Sequence, residues 1–176
     1  MRRMFWVDLE MTGLDPNKDK IIEVAIIITD LDLNVLETYH RIVRQPTAIL
    51  EAMNDWCKTN HGKSGLLKAI PEGENIDTVE QDLIAIANRH YQDPKEKVVL
   101  CGNSVGMDKA FIDVHLPHFS KRLHYRVVDV TSFKEIFKSK YKIKFEKKKG
   151  HRALDDIHES IAELQHYLSF IAIPVA

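Results

Sequence analysis

Residues 4–11 carry the feature that most restricts how this chain can fold. Apolar side chains occupy alternate positions, at Phe5, Val7, Leu9 and Met11, and the positions between them hold Trp6, Asp8 and Glu10. This alternation is the period of a β-strand, in which neighbouring side chains point to opposite faces of the sheet. The segment therefore predicts a strand with one wholly apolar face and a second face that carries two acids.

The two acids need an explanation, because they share a face of the strand. Their like charges repel, so each raises the pKa of the other. One explanation is an edge strand, on which Asp8 and Glu10 are solvated or paired with Lys or Arg. The other is a divalent cation, which coordinates carboxylate oxygens and removes the repulsion. Trp6 on the same face and the apolar strands that follow favour the cation.

The rest of the chain predicts a mixed sheet with helices on its faces. Residues 21–28, "IIEVAIII", form a near-continuous apolar run typical of a central strand, and residues 35–43 predict a third strand after a turn. Three consecutive strands with short links indicate an antiparallel meander. Two shorter strands are predicted later, at residues 98–102 and 126–130. This order predicts an α/β fold formed by one domain, residues 1–176.

The helices are predicted from apolar spacing of three and four residues. Residues 48–69 indicate one or two helices broken near Gly62 and Gly65, and the next helix begins at a capping box formed by Asp77 and Glu80. Further helices are predicted at residues 108–116, 132–141 and 154–171. We expect these helices to cover both faces of the sheet.

Composition limits the class of protein. Lys and Arg number 25 and Asp and Glu number 26, so the chain does not carry the basic charge of a protein that coats long nucleic acid. Cys57 and Cys101 are too few for a disulfide framework or a zinc site. No apolar stretch reaches membrane-spanning length, and "MRRMFWVDLE" runs into the first strand without a signal peptide. We therefore expect a cytoplasmic protein with no membrane contact.

Two later acids are candidates for the same site. Asp108 shares a helix face with Phe111 and Ile112, although it would also suit the first turn of a helix. A helix turns about 100° per residue, which places Asp156 at the edge of the apolar stripe of the last helix and Asp155 nearly opposite that stripe. We predict that Asp156 faces a site and that Asp155 is exposed.

His151 precedes Asp156 by five residues and follows Gly150. Within one helix this spacing would not align the two side chains, whereas a histidine in the preceding loop could flank the same point as Asp156. A lone histidine is more often structural or exposed. Its pairing with an inward-facing acid favours a functional interpretation.

Asp8-x-Glu10, Asp108 and His151 before Asp156 occur in an order that resembles the DEDDh exonucleases. Longer segments, "WVDLEMTGLDP", "IIEVA", "CGNS", "HYR" and "DDI", are similar to the oligoribonuclease family over nearly the whole chain. The resemblance implies a ribonuclease H-like exonuclease fold. It also implies 3′→5′ cleavage of very short RNA, down to dinucleotides, to nucleoside 5′-monophosphates. The implied cofactors are two Mg²⁺ or Mn²⁺ ions per site, and the implied assembly is a homodimer.

The resemblance also implies roles for individual residues. The metal ligands would be Asp8, Glu10, Asp108 and Asp156, and His151 would be the general base. Leu14 would wedge between two bases, and Trp56 would lie near the substrate. The implied contacts to a terminal 5′ phosphate are Ser104, Arg126, Thr131 and Ser132, with His61 as a further candidate. Tyr125 would be a functional tyrosine that reaches in from the partner subunit.

One departure from the family pattern affects these contacts. The chain reads "DVTS" at residues 129–132, where relatives often read "DVST", so the sequence leaves open whether Thr131 or Ser132 meets the phosphate. The Lys-rich stretch at residues 134–149 is equally consistent with RNA steering and with a solvated loop.

Phosphodiester hydrolysis explains why these residue types occur together. The reaction requires a nucleophilic water and a stabilised leaving group, and divalent cations bound by carboxylates provide both. It also requires a group that accepts a proton near neutral pH, such as imidazole. The same five residues would also serve a broader 3′→5′ exonuclease that trims DNA or structured RNA ends. A non-catalytic RNA-binding module on a decayed nuclease fold is the alternative from another class. The intact acids and His151 argue against that module.

Overall fold

The computed structural model describes residues 3–93, 95–146 and 152–172. Its sheet has five strands: β1 (Met4–Met11), β2 (Ile21–Thr29), β3 (Val35–Ile42), β4 (Val98–Gly102) and β5 (Leu123–Asp129). They lie in the order β3-β2-β1-β4-β5, with β1, β2 and β3 antiparallel and β1, β4 and β5 parallel. The predicted meander and the predicted mixed α/β sheet are confirmed.

In the part of the chain that the structure describes, eight α-helices connect and cover these strands: α1 (Thr47–Glu51), α2 (Asp55–Lys63), α3 (Leu66–Ala69), α4 (Ile76–His90), α5 (Gly106–His115), α6 (Pro117–Ser120), α7 (Val130–Ile136) and α8 (Ala153–Leu168). A 3₁₀ turn at Ile70–Glu72 follows α3, and a π-helical turn at Phe137–Tyr141 continues α7. Within the described ranges, no helix is both long and apolar enough to cross a bilayer.

β1 lies at the centre of the molecule and is covered on both faces. Phe5, Val7 and Leu9 join the core formed with α4 and α5, whereas Met4 and Trp6 join the core formed with α8. The Trp6 Nε1 donates a hydrogen bond to Thr29 Oγ1 at 3.1 Å. The edge-strand explanation for Asp8 and Glu10 is therefore wrong, because the acids lie towards the end of a central strand.

The predicted capping box at Asp77 and Glu80 is also wrong. α4 begins two residues earlier than a box with Asp77 as N-cap requires, at Ile76, because the Asn75 side chain caps it by accepting the Asp77 N–H at 2.9 Å. Glu80 is buried and caps a different helix, since its Oε1 accepts the N–H groups of His118 at 2.7 Å and Phe119 at 3.0 Å at the start of α6.

Two other helix boundaries differ from the prediction. The segment at residues 48–69 contains three helices. The predicted break is confirmed at Gly65, which has a left-handed φ of 77°, and a further break precedes α2, where the Asn54 side chain caps the helix by accepting the Cys57 N–H at 2.8 Å. α7 starts at Val130 rather than at residue 132, because the Asp129 carboxylate accepts the Thr131 N–H at 2.9 Å and caps the helix there.

Candidate active site

Three acids from two distant segments meet at one end of β1. Each of Asp8, Glu10 and Asp156 offers a carboxylate oxygen within 4.8 Å of those of the other two, and all three side chains are half-buried. Asp156 lies in the first turn of α8, and the neighbouring Asp155 is exposed. The helix-face prediction that separated these two acids is confirmed. We call Asp8, Glu10 and Asp156 the acid cluster.

Asp108 lies beside the acid cluster on α5 and is buried. Its Oδ1 accepts the backbone N–H of Leu9 at 2.9 Å, so it is attached to the strand between Asp8 and Glu10. Burial raises the pKa of Asp108 to about 7, although the hydrogen bond from Leu9 opposes this shift. The charge of Asp108 also acts on Glu10 and raises its pKa.

The electrostatics of the acid cluster suit a cation. Burial raises the pKa of Glu10 to about 8, and the negative charges of Asp156, Glu23 and Asp108 add to this effect, whereas Arg152 opposes it. Half-buried carboxylates that repel one another are a donor set that hard divalent cations prefer. The residues present therefore fit the divalent ions that the sequence predicts.

The raised pKa of Glu10 predicts how the metal-free protein responds to pH. An acid whose pKa is higher in the folded state contributes stability that is fully present below its unfolded pKa. This contribution is lost progressively as the pH rises from the unfolded value to the folded value, which for Glu10 is about 8. Without metal, we expect the Tm to fall by about 5 °C or more between pH 6.5 and 8.5. Thermal unfolding followed by circular dichroism in chelator measures this change.

The Glu10→Gln variant is the control, because its side chain has no proton to lose. Its Tm should fall less than that of the wild type over the same range, with Asp108 supplying the remainder. Added Mg²⁺ should reverse the fall in the wild-type protein at pH 8.5. A Tm that does not change with pH in the metal-free wild type would contradict the raised pKa.

A cleft of about 590 Å³ adjoins the acid cluster at Glu10. Two large side chains on its wall are exposed, Leu14 by 74% and Trp56 by 63%. The lining is completed by Leu9, Glu10, Met11, Gly13, Asn54, Cys57 and His61. Trp56 is therefore not part of the core, and both apolar groups are accessible to a flat apolar ligand such as a nucleobase.

The turn that presents Leu14 is fixed by Asp19. The Asp19 carboxylate accepts hydrogen bonds from Thr12 Oγ1 at 3.1 Å and from the Asp15 N–H at 2.9 Å. Gly13 lies against this carboxylate, and a Cβ at position 13 would lie only 2.4 Å from Asp19 Oδ2. Any larger residue at position 13 would displace this carboxylate and with it the turn that carries Leu14.

His61 lies in this cleft and not among the hydroxyl groups predicted to contact phosphate. Its side chain is buried, its Nε2 lies 3.0 Å from the Met11 carbonyl oxygen, and its Nδ1 lies 3.9 Å from Glu10 Oε2. The histidine links the wall of the cleft to Glu10, and its contact with a terminal 5′ phosphate stays a prediction from the sequence.

Ser104 and Thr131 meet where β4 and β5 end. The Ser104 N–H donates to both Thr131 Oγ1 and Asp129 Oδ1 at 2.9 Å, and Ser104 adopts a left-handed backbone with φ of 50°. Thr131 Oγ1 donates to Asn103 Oδ1 at 3.3 Å. Ser132 is exposed next to them, and its hydroxyl makes no hydrogen bond to the described part of the chain.

Asn103 and Glu163 set the direction of these hydrogen bonds, and sequence reasoning missed both. The Asn103 Nδ2 donates to Ser160 Oγ at 2.8 Å and to Glu163 Oε2 at 3.1 Å. Because a carboxylate only accepts, Asn103 must present its oxygen to Thr131. The hydrogen of the Thr131 hydroxyl thus points inward, so Ser104 Oγ is the donor in the 3.2 Å contact between the Ser104 and Thr131 hydroxyls. The hydroxyl of Ser132 remains able to donate to an anion.

Comparisons with known proteins agree with this geometry. Residues 5–164 match a family model described as Exonuclease. The chain is 49% identical over 172 residues to the mitochondrial oligoribonuclease of Mus musculus. This alignment covers 94% of this chain and 72% of that protein. The chain belongs to the oligoribonuclease family. It is also 44% identical over 172 residues to the oligoribonuclease of Vibrio campbellii, covering 94% of this chain and 93% of that protein.

Solved structures show the same fold outside the oligoribonuclease family. Escherichia coli Exonuclease I in complex with an oligonucleotide superposes with a TM-score of 0.72 at 15% identity, over 97% of this chain. A full-length 3′-exonuclease superposes with a TM-score of 0.66 at 17% identity, over 96% of this chain. The superposed residues make up 41% of the Exonuclease I chain. The ribonuclease H-like exonuclease fold predicted from the sequence is confirmed.

Tyr125 and Arg126 form an exposed pair on the edge strand of this oligoribonuclease-family fold. Tyr125 is 75% exposed and stacks on His124 with ring centroids 4.5 Å apart. The Arg126 Nε donates to the Tyr125 hydroxyl at 3.0 Å, and the guanidinium lies 5.3 Å from the centre of its ring. Both side chains are therefore accessible to a ligand or to a second subunit.

His151, which the family resemblance implies as the general base, lies outside the described residues. The first described residue after it is Arg152, the N-cap of α8. The role of His151 consequently stays a prediction from the sequence.

Proposed function

We propose that this chain is a 3′→5′ exoribonuclease that degrades very short RNA, especially dinucleotides, to nucleoside 5′-monophosphates. The observation that carries the proposal is the acid cluster, which lies beside a cleft with two exposed apolar side chains. Membership of the oligoribonuclease family supports the substrate class. We further propose that residues 1–176 act as a single exonuclease domain.

Asp8, Glu10 and Asp156, together with Asp108, would hold two divalent cations, Mg²⁺ or Mn²⁺. Bound cations stabilise the charges on the attacking and leaving oxygens of phosphodiester hydrolysis. Asp108 also fixes the strand between the first two acids through its hydrogen bond from Leu9. The acids therefore serve both as ligands and as the frame that keeps the ligands in place.

His151 would act as the general base. An imidazole nitrogen titrates near neutral pH, so it is able to accept the proton of the attacking water under working conditions. The proton of the water would pass to the imidazole as the water oxygen bonds to phosphorus and the bond from phosphorus to the 3′ oxygen breaks. The released 3′ oxygen would take up a proton, and the nucleoside 5′-monophosphate would leave the cleft.

Short substrates offer few phosphates, so they must be held in another way. Leu14 and Trp56 would contact the bases by apolar contact and stacking. Ser132 and Arg126 would donate to the terminal 5′ phosphate, and Ser104 would join them by exchanging its hydrogen bond to Thr131 Oγ1 for one to the phosphate. A dinucleotide would then be held at both ends.

We also propose a cytoplasmic homodimer. The exposed Tyr125 lies on the outer strand of the sheet, where a second subunit is able to approach. Both cysteines, Cys57 and Cys101, are buried thiols, which agrees with a reducing compartment.

The test is the dependence of affinity on RNA length. We expect 5′-phosphorylated diribonucleotides to bind best, because a longer chain leaves the phosphate-binding donors unpaired. Such unpaired groups cost about 1–3 kcal/mol, which corresponds to a loss of roughly tenfold or more in affinity. Competition binding of RNAs from two to about ten nucleotides to the inactive Asp8→Ala protein, with a matched DNA series, measures this dependence.

Arg126→Ala in the same background should flatten the length preference, because it weakens dinucleotide binding most. Arg89→Ala is the matched control and should leave the preference unchanged, since Arg89 pairs with Glu37 on β3, at the opposite edge of the sheet from Arg126 on β5. Equal or tighter binding of ten-nucleotide RNA or DNA would favour the broader exonuclease that trims DNA or structured RNA ends.

A further inference from the structure

Glu23 is a buried charge in the most apolar strand of the sheet. All nine residues of β2 are buried, and Glu23, the one charged residue among them, is 0% exposed. Burial of a carboxylate is costly unless hydrogen bonds and opposite charges compensate for it. The groups that bind Glu23 therefore indicate what the residue does.

The donors to Glu23 come chiefly from the start of α8. The Nε and Nη2 of Arg152 lie 2.9 and 2.8 Å from Oε1, and the Ala153 N–H donates to Oε2 at 3.3 Å. The Nε2 of His40 lies 2.6 Å from Oε1. Arg152 is the N-cap of α8 and its side chain does not cap the helix. A carboxylate from β2 thus takes the place of an N-cap side chain.

This contact lies one helical turn from the acid cluster. The Asp156 N–H donates to the Arg152 carbonyl at 3.0 Å, so the position of Asp156 follows directly from that of Arg152. In the sheet, Glu23 is the register partner of Glu10. The contact therefore joins α8, which carries Asp156, to the position in the sheet where Glu23 of β2 is paired with Glu10 of β1.

We propose that Glu23 is a positioning residue of the nuclease reaction, which holds Asp156 against Asp8 and Glu10 by clamping Arg152 and Ala153. This inference rests on the proposed function. Glu23 acts through the backbone of α8, because its own oxygens are occupied by Arg152, Ala153 and His40. It is distinct from the acid cluster, whose described members are Asp8, Glu10 and Asp156.

The test compares Glu23→Gln with Glu80→Gln. Glu80 is the matched control, because it is also a buried acid that accepts N–H groups at the start of a helix, but that helix is α6. We expect Glu23→Gln to lower kcat on a diribonucleotide with saturating Mn²⁺ by about 10–100-fold, with KM changed by less than about twofold. Glu80→Gln should lower Tm without lowering kcat. Equal kcat values for the two variants would overturn the proposal.

Hydrogen exchange supplies a readout that needs neither metal nor substrate. In Glu23→Gln, the amides of residues 154–157 should exchange faster than in the wild type, because the first turn of α8 has lost its clamp. In Glu80→Gln these amides should keep their protection. Unchanged exchange at the start of α8 in Glu23→Gln would show that no clamp exists.

The double variant Glu23→Gln/Arg152→Gln separates position from charge, because it restores the local net charge without restoring the clamp. We expect its kcat to remain within about threefold of Glu23→Gln, since both single changes break the same contact. A return to the wild-type kcat would show a charge effect, and a loss equal to the product of the two single losses would show independent roles. Either result overturns the proposal. Failure of the proposed function is recognised separately, because the wild-type protein would then leave the diribonucleotide intact.

Discussion

Asp156→Ala should reduce cleavage of a 5′-labelled diribonucleotide by a factor on the order of 10³ or more, because it removes one proposed ligand of the divalent cations that would stabilise the transition state. The fold should remain intact and the Tm should not decrease, since Asp156 is one of the charges that raise the pKa of Glu10. Initial rates with Mg²⁺ or Mn²⁺ measure the loss. Calorimetric titration with Mn²⁺ should show weaker binding in the same variant.

Asp155→Ala is the control for this experiment. It removes the same charge from the neighbouring position of α8, where the side chain is exposed. Its rate should remain within about threefold of the wild type, because exposed charges are strongly screened. An inactive Asp155→Ala together with an active Asp156→Ala would show that the two acids have been assigned to the wrong faces. Activity of the wild type in excess chelator would exclude the metal mechanism.

His151→Ala should reduce kcat by about 10²–10⁴-fold, which is the usual contribution of a general base. RNA binding should change little, because the phosphate and base contacts are assigned to other residues. Single-turnover rates and competition binding, measured on the same preparation, separate the two effects. His158→Ala is the matched control, since His158 is an exposed histidine on α8 and should be dispensable. Unchanged turnover in His151→Ala would remove this residue from the mechanism.

Local periodicity was enough to predict the face on which each acid of the cluster lies, whereas the meeting of these acids at one site was implied by the family resemblance. Asp8 and Glu10 share a face because a strand repeats every two residues, and Asp156 is separated from Asp155 because a helix turns about 100° per residue. Both rules depend only on neighbours in the sequence. They therefore apply before the tertiary structure is known.

Contacts between distant residues could not be predicted in this way. Glu23 was included in a near-continuous apolar run, although a charge within a strand buried on both faces is a signal that it has a specific partner. That partner, Arg152, is 129 residues away. The donor direction of Thr131 depends on Asn103 and Glu163, which are 60 residues apart. Asp77 and Glu80 have the spacing of a capping box, but Asn75 caps α4 instead and Glu80 binds α6.

The sequence separation of these contacts has a consequence for folding kinetics. The β1–β2–β3 meander closes over short loops, as in the bond between Trp6 and Thr29, which are 23 residues apart. Asp108 reaches Leu9 across 99 residues, and Arg152 reaches Glu23 across 129. Loop-closure entropy makes such long-range pairings form late. We therefore expect a nascent or refolding chain to hold Asp8 and Glu10 in a formed hairpin before it has a nuclease site, and to gain activity only with the last and slowest closure.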